Sequence, residues 1–200
     1  MSQHQKILIV NSRKDNRHMI ANYLDNQGLR CVLANTGDQS LEKLTITQPD
    51  LILLSLSLDD TSGIQICKTI RQTHLASLLP IIMVTPSDHR RDVLPSLKAG
   101  ANDYISTPFS PEILYARIQA QLTQAQQHKT LNSAYREKTQ LLAHISKELR
   151  TPLNTIIGYT EMLLEEIDQT NEQGECLTKI YRSGQQIHVL FEEIIKITNR

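Results

Sequence analysis

Short apolar runs alternate with amphipathic segments over the first half of the chain. Strong runs lie at residues 6–10, 50–54 and 80–85, and weaker ones at 30–34 and 103–105. Runs that are apolar on both faces are typical of a parallel sheet covered by helices on both sides. Helical periodicity fills the gaps, at residues 15–27, 37–47, 63–72, 90–99 and from 111 onward. The pattern therefore predicts five strands and five helices in strict alternation.

This alternation implies right-handed crossovers and a doubly wound α/β sheet of the flavodoxin type. In that fold the functional crevice lies beyond the carboxyl ends of the strands. We therefore expect the loops at Asn11, Ser55, Thr85 and Ser106 to meet at one place. Pro95 falls inside the fourth predicted helix, where it is expected to kink or break the segment and to alter that face.

The second half of the chain has a purely helical pattern. Ser110 and Pro111 form an N-cap and first helical residue, and helical spacing then continues to Ile167 with Pro152 as a possible kink. A second helix follows a polar break at residues 168–174. Apolar residues recur in steps of three and four at Ile118, Leu122, Ala125, Leu142, Ile145, Leu149, Ile156, Leu163 and Ile167, and then at Leu177, Ile180, Gly184, Ile187, Phe191, Ile194 and Thr198. One hairpin with so narrow a seam buries itself poorly, so we predict a dimeric four-helix bundle.

Length, charge and cysteine content narrow the function classes. Two hundred residues suit two small domains, which we place at 1–122 and 123–200, joined by a continuous helix from about residue 111. Basic and acidic residues number 21 each, so no charge excess steers the chain to nucleic acid. The apolar run at 51–58 is too short to cross a bilayer and no apolar signal segment is present, so we expect a cytoplasmic protein without membrane insertion.

Cys31, Cys67 and Cys176 lack paired or metal-ligand spacing, which predicts buried, reduced thiols.

From Lys6 to about Leu122 the sequence resembles the receiver domain of two-component response regulators. The matching landmarks are residues 48–54, Gly63, residues 80–85, residues 99–104 and the Pro108-Phe109 pair. The resemblance implies an acidic pair after the first strand, a phosphorylatable aspartate after the third and a lysine after the fifth. This sequence has Asn11 and Ser12 at the acidic pair, Ser55 at the aspartate and Thr107 at the lysine, and it retains only the hydroxyl residue Thr85.

These exchanges predict a receiver that carries neither metal nor phosphate. Magnesium needs several hard oxygen ligands, usually including carboxylates, and Asn11, Ser12 and Ser55 supply no negative charge. A serine hydroxyl without a nearby base is also a weak nucleophile. Asp59 and Asp60 follow closely, so a rearranged loop that restores a carboxylate stays open beside a solvated loop that turns towards Gly63.

Two shape features of the receiver resemblance persist. Thr107-Pro108 stands where receivers usually hold a cis peptide bond. Tyr104 occupies the position of the aromatic switch residue, and it is either a switch or a half-buried aromatic with a solvated hydroxyl. Together with Phe109 these residues belong to the expected docking face.

Residues 129–200 resemble the dimerisation and phospho-acceptor domain of histidine kinases. The likeness rests on residues 141–154, 156–159 and 179–184. Lys147 stands at the position of the reactive histidine, and an ammonium group has no lone pair to offer. Glu148 and Thr151, which in the family help to activate the histidine and to position a water, are retained. His144 is open as either a displaced acceptor or an ordinary surface residue.

The sequence predicts a non-catalytic two-component protein that acts by protein–protein interaction. Without the asparagine box and glycine-rich lid of the kinase ATP-binding domain, we expect no enzyme activity and no cofactor. The expected partners are a second copy and a histidine kinase or response regulator, and a mixed dimer with a true kinase stays open. Two alternatives remain: a phosphorelay protein that uses Asp59 or Asp60 with His144, and a small-molecule sensor built on the vacated crevice.

Overall fold

The computed structural model describes residues 5–86, 93–166 and 172–198. Five parallel strands form one sheet in the order β2-β1-β3-β4-β5. The strands are β1 Lys6–Val10, β2 Arg30–Ala34, β3 Leu51–Ser55, β4 Ile81–Pro86 and β5 Asp103–Thr107. The helices are α1 Lys14–Asn26, α2 Gly37–Thr47, α3 Gly63–Arg71, α4 Val93–Lys98, α5 Pro111–Glu166 and α6 Glu172–Thr198. The predicted doubly wound α/β sheet is confirmed.

Alternate residues of each strand enter two different cores, one on each face of the sheet. Leu8 and Val10 of β1 join the core that also contains side chains from α2 and α3. Ile7 and Ile9 point the other way, into the core shared with α1 and α5. Because both faces are covered, β1 is apolar at consecutive positions rather than at alternate ones.

The amino-terminal part of α5 packs on the sheet, which corrects one prediction. Ile118, Leu122 and Ala125 were assigned to a coiled-coil seam, but they are at most 4% exposed. Ile118 and Leu122 belong to the α1–α5 core. Steps of three and four residues create one apolar face, and that face serves helix-on-sheet packing as well as helix-on-helix packing.

The chain divides into two compact units, residues 1–130 and 131–200. Within the second unit, α5 and α6 lie antiparallel. Arg150 pairs with Glu192, and a Cβ at Gly184 would lie 2.8 Å from Cγ1 of Ile157. Gly184 therefore lets the two helices approach closely near the middle of the hairpin. Among the described residues, no helix combines the length and apolarity that a membrane span requires.

The second helix of the hairpin begins earlier than predicted. The polar break was placed at residues 168–174, but α6 begins at Glu172, whose charge suits a helix amino terminus; residues 167–171 lie outside the described chain. The described part of the fourth helix is α4, Val93–Lys98, and Pro95 lies within it; the predicted residues 90–92 are not among those described.

The cysteines divide into three environments. Cys67 is buried, Cys31 is half-buried and Cys176 is exposed, and all three are free thiols. Burial raises the pKa of Cys31 to about 12 and also raises the pKa of Cys67. The prediction of buried thiols is therefore wrong for Cys176.

Candidate functional site

A crevice of about 350 Å³ opens at the carboxyl ends of the strands. It brings together the five residues expected there, namely Asn11, Ser12, Ser55, Thr85 and Thr107. The remaining lining residues are Arg13, Asn16, Ser57, Leu58, Asp59, Val84 and Pro86. The order of the sheet reverses between β1 and β3, which is where a doubly wound fold places its binding crevice.

Hydrogen bonds between loops brace this crevice. The Ser12 hydroxyl donates to the carbonyl oxygen of Asn35 at 3.1 Å and accepts from the backbone N–H of Asp59 at 3.0 Å. The Arg17 guanidinium donates to the carbonyl oxygens of Asn11 and, at 3.1 Å, Ser12. Side chains from the β1–α1 loop and from α1 therefore hold the loops after β1, β2 and β3 together.

The end of β3 is constrained by two contacts. The Ser55 hydroxyl donates to the carbonyl oxygen of Ser57 at 3.0 Å. Behind it, a Cβ at Gly63 would lie 2.1 Å from the carbonyl oxygen of Ser55, a distance that no side chain tolerates. Glycine at this position lets α3 begin directly against the end of the strand.

The two aspartates that follow β3 have different environments. Asp59 lines the crevice, whereas Asp60 points to the amino terminus of α2. The Asp60 carboxylate accepts from the backbone N–H of Gly37 at 2.8 and 3.0 Å and from that of Asp38 at 3.3 Å. These backbone donors, Gly37 first, hold the pKa of Asp60 below its ordinary range. The Asp60 carboxylate therefore caps the amino terminus of α2, and Asp59 is the aspartate of this pair that lines the crevice.

The far wall of the crevice is formed by the ends of β4 and β5. Thr85 is 1% exposed, and its hydroxyl lies 3.4 Å from that of Ser106. The Thr107 hydroxyl donates to the carbonyl oxygen of Thr85, also at 3.4 Å. The peptide bond between Thr107 and Pro108 is cis, as the sequence predicted.

The expected docking residues next to this wall are partly covered. Tyr104 is half-buried and packs against the core on the α2–α3 face. Phe109 packs against the α1–α5 core. Asp103 and Arg117 form an ion pair at 2.6 Å that links β5 to α5.

In the hairpin, the expected acceptor region is solvent-facing. Lys147, Glu148, Thr151 and His144 are all exposed on α5. Ser146, beside Lys147, is 1% exposed and donates to the carbonyl oxygen of Leu142 at 2.8 Å. The exposed positions are accessible to a partner, and the buried serine satisfies itself within its own helix.

Sequence reasoning missed the cationic part of the crevice. Arg13 lines the crevice and Arg17 holds its β1–α1 loop, but the sequence prediction named only the preceding residues, Asn11 and Ser12. The available signal was their spacing, since residues four apart at the start of a helix lie on the same side. Of the crevice residues that the structure describes, only Arg13 and Asp59 are charged. Within the described residues, no group of three histidine, cysteine or acidic side chains is placed to hold a metal ion.

Comparison with known proteins gives two family matches. Residues 7–119 match the response regulator receiver domain, and residues 137–199 match the His Kinase A (phospho-acceptor) domain. The chain is 34% identical over 122 residues to the alkaline phosphatase synthesis transcriptional regulatory protein PhoP of Bacillus subtilis, covering 61% of this chain and 50% of that protein. It is 36% identical over 116 residues to the phosphate regulon transcriptional regulatory protein PhoB of Escherichia coli, covering 58% of this chain and 51% of that protein.

Solved structures give the same likeness. A two-component response regulator from Clostridium difficile has a TM-score of 0.56 and 32% identity, covering 60% of this chain and 97% of that one. A response regulator from Chloroflexus aurantiacus has a TM-score of 0.58 and 29% identity, covering 60% and 99%. The chain spans about half the length of the curated relatives named above.

Proposed function

Because this chain belongs to the response regulator receiver family and carries a His Kinase A (phospho-acceptor) domain behind the receiver, we propose that it is a non-catalytic protein of two-component signalling. It acts as an adaptor or competitor that binds a histidine kinase or a response regulator without exchanging phosphate. The observation that carries this proposal is the crevice, where Asn11, Ser12 and Ser55 stand together without a carboxylate among them.

The crevice chemistry supports a receiver that does not accept phosphate. Among the described residues that line the crevice, Asp59 is the only carboxylate, and one carboxylate is a poor set of ligands for a divalent cation. The Ser55 hydroxyl donates a hydrogen bond to the Ser57 carbonyl, and none of the described residues that line the crevice is a histidine that could act as its base. Both requirements of an acyl phosphate, the ion and the nucleophile, are therefore unmet at these positions.

The hairpin chemistry supports the same reading. Lys147 is exposed and stands where the family has its reactive histidine, so a protonated amine replaces a nucleophilic imidazole. A homodimer is part of the proposal, because α5 exposes a row of large apolar side chains, Ile145, Leu149, Ile156 and Leu163, that are 40–50% accessible in one copy. Covering such a row in a four-helix bundle removes apolar surface from water. The cytoplasmic location expected from the sequence belongs to this proposal.

Phosphotransfer tests the proposal directly. The purified chain is incubated with magnesium and a panel of autophosphorylated histidine kinases, while radiolabel is followed on each protein and light scattering reports mass. We expect a dimer that gains no label and slows transfer to authentic receivers. Label on the wild-type chain contradicts the proposal.

A restored variant serves as the matched control. The triple exchange Asn11→Asp, Ser12→Asp and Ser55→Asp returns three carboxylates to the crevice. If their loss is the reason for inactivity, this variant binds magnesium and gains label where the wild type does not. If it also stays unlabelled, the cause lies elsewhere, for example in Thr107.

Two alternatives are distinguished by the same material. A phosphorelay through displaced sites requires label that Asp59→Ala or His144→Ala abolishes; Asp60 is a weaker candidate because backbone donors of α2 occupy its carboxylate. Sensing of a small molecule is favoured by the open volume of about 350 Å³.

A further inference from the structure

We propose that the crevice binds a small, hydroxyl-bearing organic anion directly, through the guanidinium of Arg13 and without a metal ion. The proposal specifies a ligand class for the sensing alternative, and it does not depend on whether the protein is an adaptor. The volume of about 350 Å³ lies at the small end of the roughly 300–1,000 Å³ that small-molecule sites span.

The crevice is formed before any ligand arrives. Its loops are joined by the Ser12 hydroxyl, which forms hydrogen bonds with both Asn35 and Asp59. The Arg17 guanidinium of α1 also donates to the Ser12 carbonyl in the β1–α1 loop. These bonds join segments that are up to 47 residues apart in the chain. A ligand therefore meets an ordered site, and less of its binding free energy is lost in ordering the protein.

The charges of the crevice indicate an anion. Arg13 is exposed at its rim, and among the residues that the structure describes, no carboxylate pairs with its guanidinium. A guanidinium presents a planar fork of N–H donors that matches carboxylate and phosphate oxygens. Asp59 is the opposing charge, so a ligand with several negative groups is disfavoured and one with a single anionic end is preferred.

The remaining wall supplies hydroxyl groups that a ligand can engage. The bonds that join Thr85 to Ser106 and Thr107 to the Thr85 carbonyl are both 3.4 Å long, well beyond the usual length for hydroxyl donors. Exchanging these long bonds for shorter ones to a ligand costs little. The wall therefore fits hydroxyl or carbonyl groups on the part of the ligand that faces away from Arg13.

Titration calorimetry on the full chain tests the site. Lactate, glycerol 3-phosphate and inorganic phosphate are titrated separately in the presence of EDTA, so that carboxylate and phosphate ligands are distinguished and metal is excluded. We expect lactate or glycerol 3-phosphate to bind more tightly than inorganic phosphate, which lacks the hydroxyl-bearing organic part. Arg13→Gln is expected to weaken that binding about tenfold or more, since tenfold corresponds to the loss of one charge-assisted contact. Lys14→Gln, which removes the neighbouring exposed charge outside the crevice, is expected to bind as wild type does.

A second variant protects the test against misfolding. Thr107→Val keeps the size of the side chain and removes its hydroxyl, and it is expected to weaken the same probe. The proposal is overturned if neither organic probe binds more tightly than about 10 mM, if binding needs added magnesium, or if Arg13→Gln binds as tightly as wild type. Because no kinase is present, failure here leaves the phosphotransfer result untouched.

Discussion

Arg71 offers the sharpest test of what holds the first unit together. Its guanidinium lies at the carboxyl end of α3 and donates to four oxygens: the carbonyls of Gly100 at 2.7 Å, Leu79 at 3.0 Å and His74 at 3.3 Å, and Oδ1 of Asn102 at 2.8 Å. Burial lowers the pKa of Arg71, but a guanidinium stays charged at any ordinary pH. One side chain thus satisfies carbonyls from the α3–β4 loop and from the α4–β5 loop.

Replacing Arg71 with methionine keeps the apolar stem and removes every donor. Hydrogen bonds to charged groups contribute about 1.5–3 kcal/mol each, and we take about 1 kcal/mol for each of the three shorter bonds because the side chain is partly solvated. The expected loss is therefore about 3 kcal/mol of the free energy of unfolding of the first unit. Lys68→Met, on the exposed side of the same helix, is the control and should stay within about 0.5 kcal/mol of wild type.

Urea denaturation followed by circular dichroism measures both variants. The two units can unfold in separate transitions, so each transition is fitted by itself. A double-mutant cycle combines Arg71→Met with Asn102→Ala. Asn102 belongs to the same network, because it also accepts from the N–H of Ile81 and donates to the carbonyl of Ala76. We expect a coupling energy of about 1 kcal/mol or more between the two sites. If Arg71→Met costs no more than Lys68→Met, the network does not contribute as argued.

Three further changes test single contacts. Gly63→Ala places a Cβ against the Ser55 carbonyl and should cost about 2 kcal/mol or more; an unchanged urea midpoint would show that the strand end yields freely. Asp60→Asn removes a carboxylate whose pKa is lowered by backbone donors, so the stability difference from wild type should be full above pH about 5 and vanish as pH falls well below about 4. A difference that grows on acidification contradicts this sign. Gly184→Val crowds Ile157 and should lower the free energy of unfolding of the helical unit by about 1–3 kcal/mol. It should also lower the dimer mass seen by light scattering. A stable dimer would count against the close helix approach.

The sheet was predictable because its signal is local. Strands covered on both faces must be apolar at successive positions, and β1 at Lys6–Val10 and β2 at Arg30–Ala34 match the predicted bounds. The convergence of the loops at Asn11, Ser55 and Thr85 was also predictable, since parallel strands end at one edge. The fourth expected residue, Ser106, contacts Thr85, and its neighbour Thr107 lines the crevice instead.

Contacts between distant loops were not predictable from the pattern. Nothing local indicates that Asp60 bonds the amino terminus of α2, 23 residues earlier, or that Ser12 holds Asp59 across 47 residues. Spacing also failed to separate the two uses of an apolar helix face, which is why Leu122 was assigned to the wrong surface. Each of these misses concerns which partner satisfies a group, and a one-dimensional pattern does not carry that information.

Two contacts in the crevice agree with the proposed loss of phosphate chemistry from a retained receiver fold. Asn11 keeps the size of an aspartate, and its Oδ1 accepts from the backbone N–H of Arg13 at 2.9 Å, a bond that a carboxylate would make equally well. The exchange therefore removes charge without leaving a donor unpaired. At Ser55 the side chain makes a hydrogen bond that an aspartate could not make. A hydroxyl can donate to the Ser57 carbonyl, whereas a carboxylate cannot. That carbonyl is then occupied by a neighbouring side chain. The polar groups of Asn11 and Ser55 are therefore bonded within the crevice itself, which is what the proposed receiver without phosphate chemistry needs in order to keep the shape of its site.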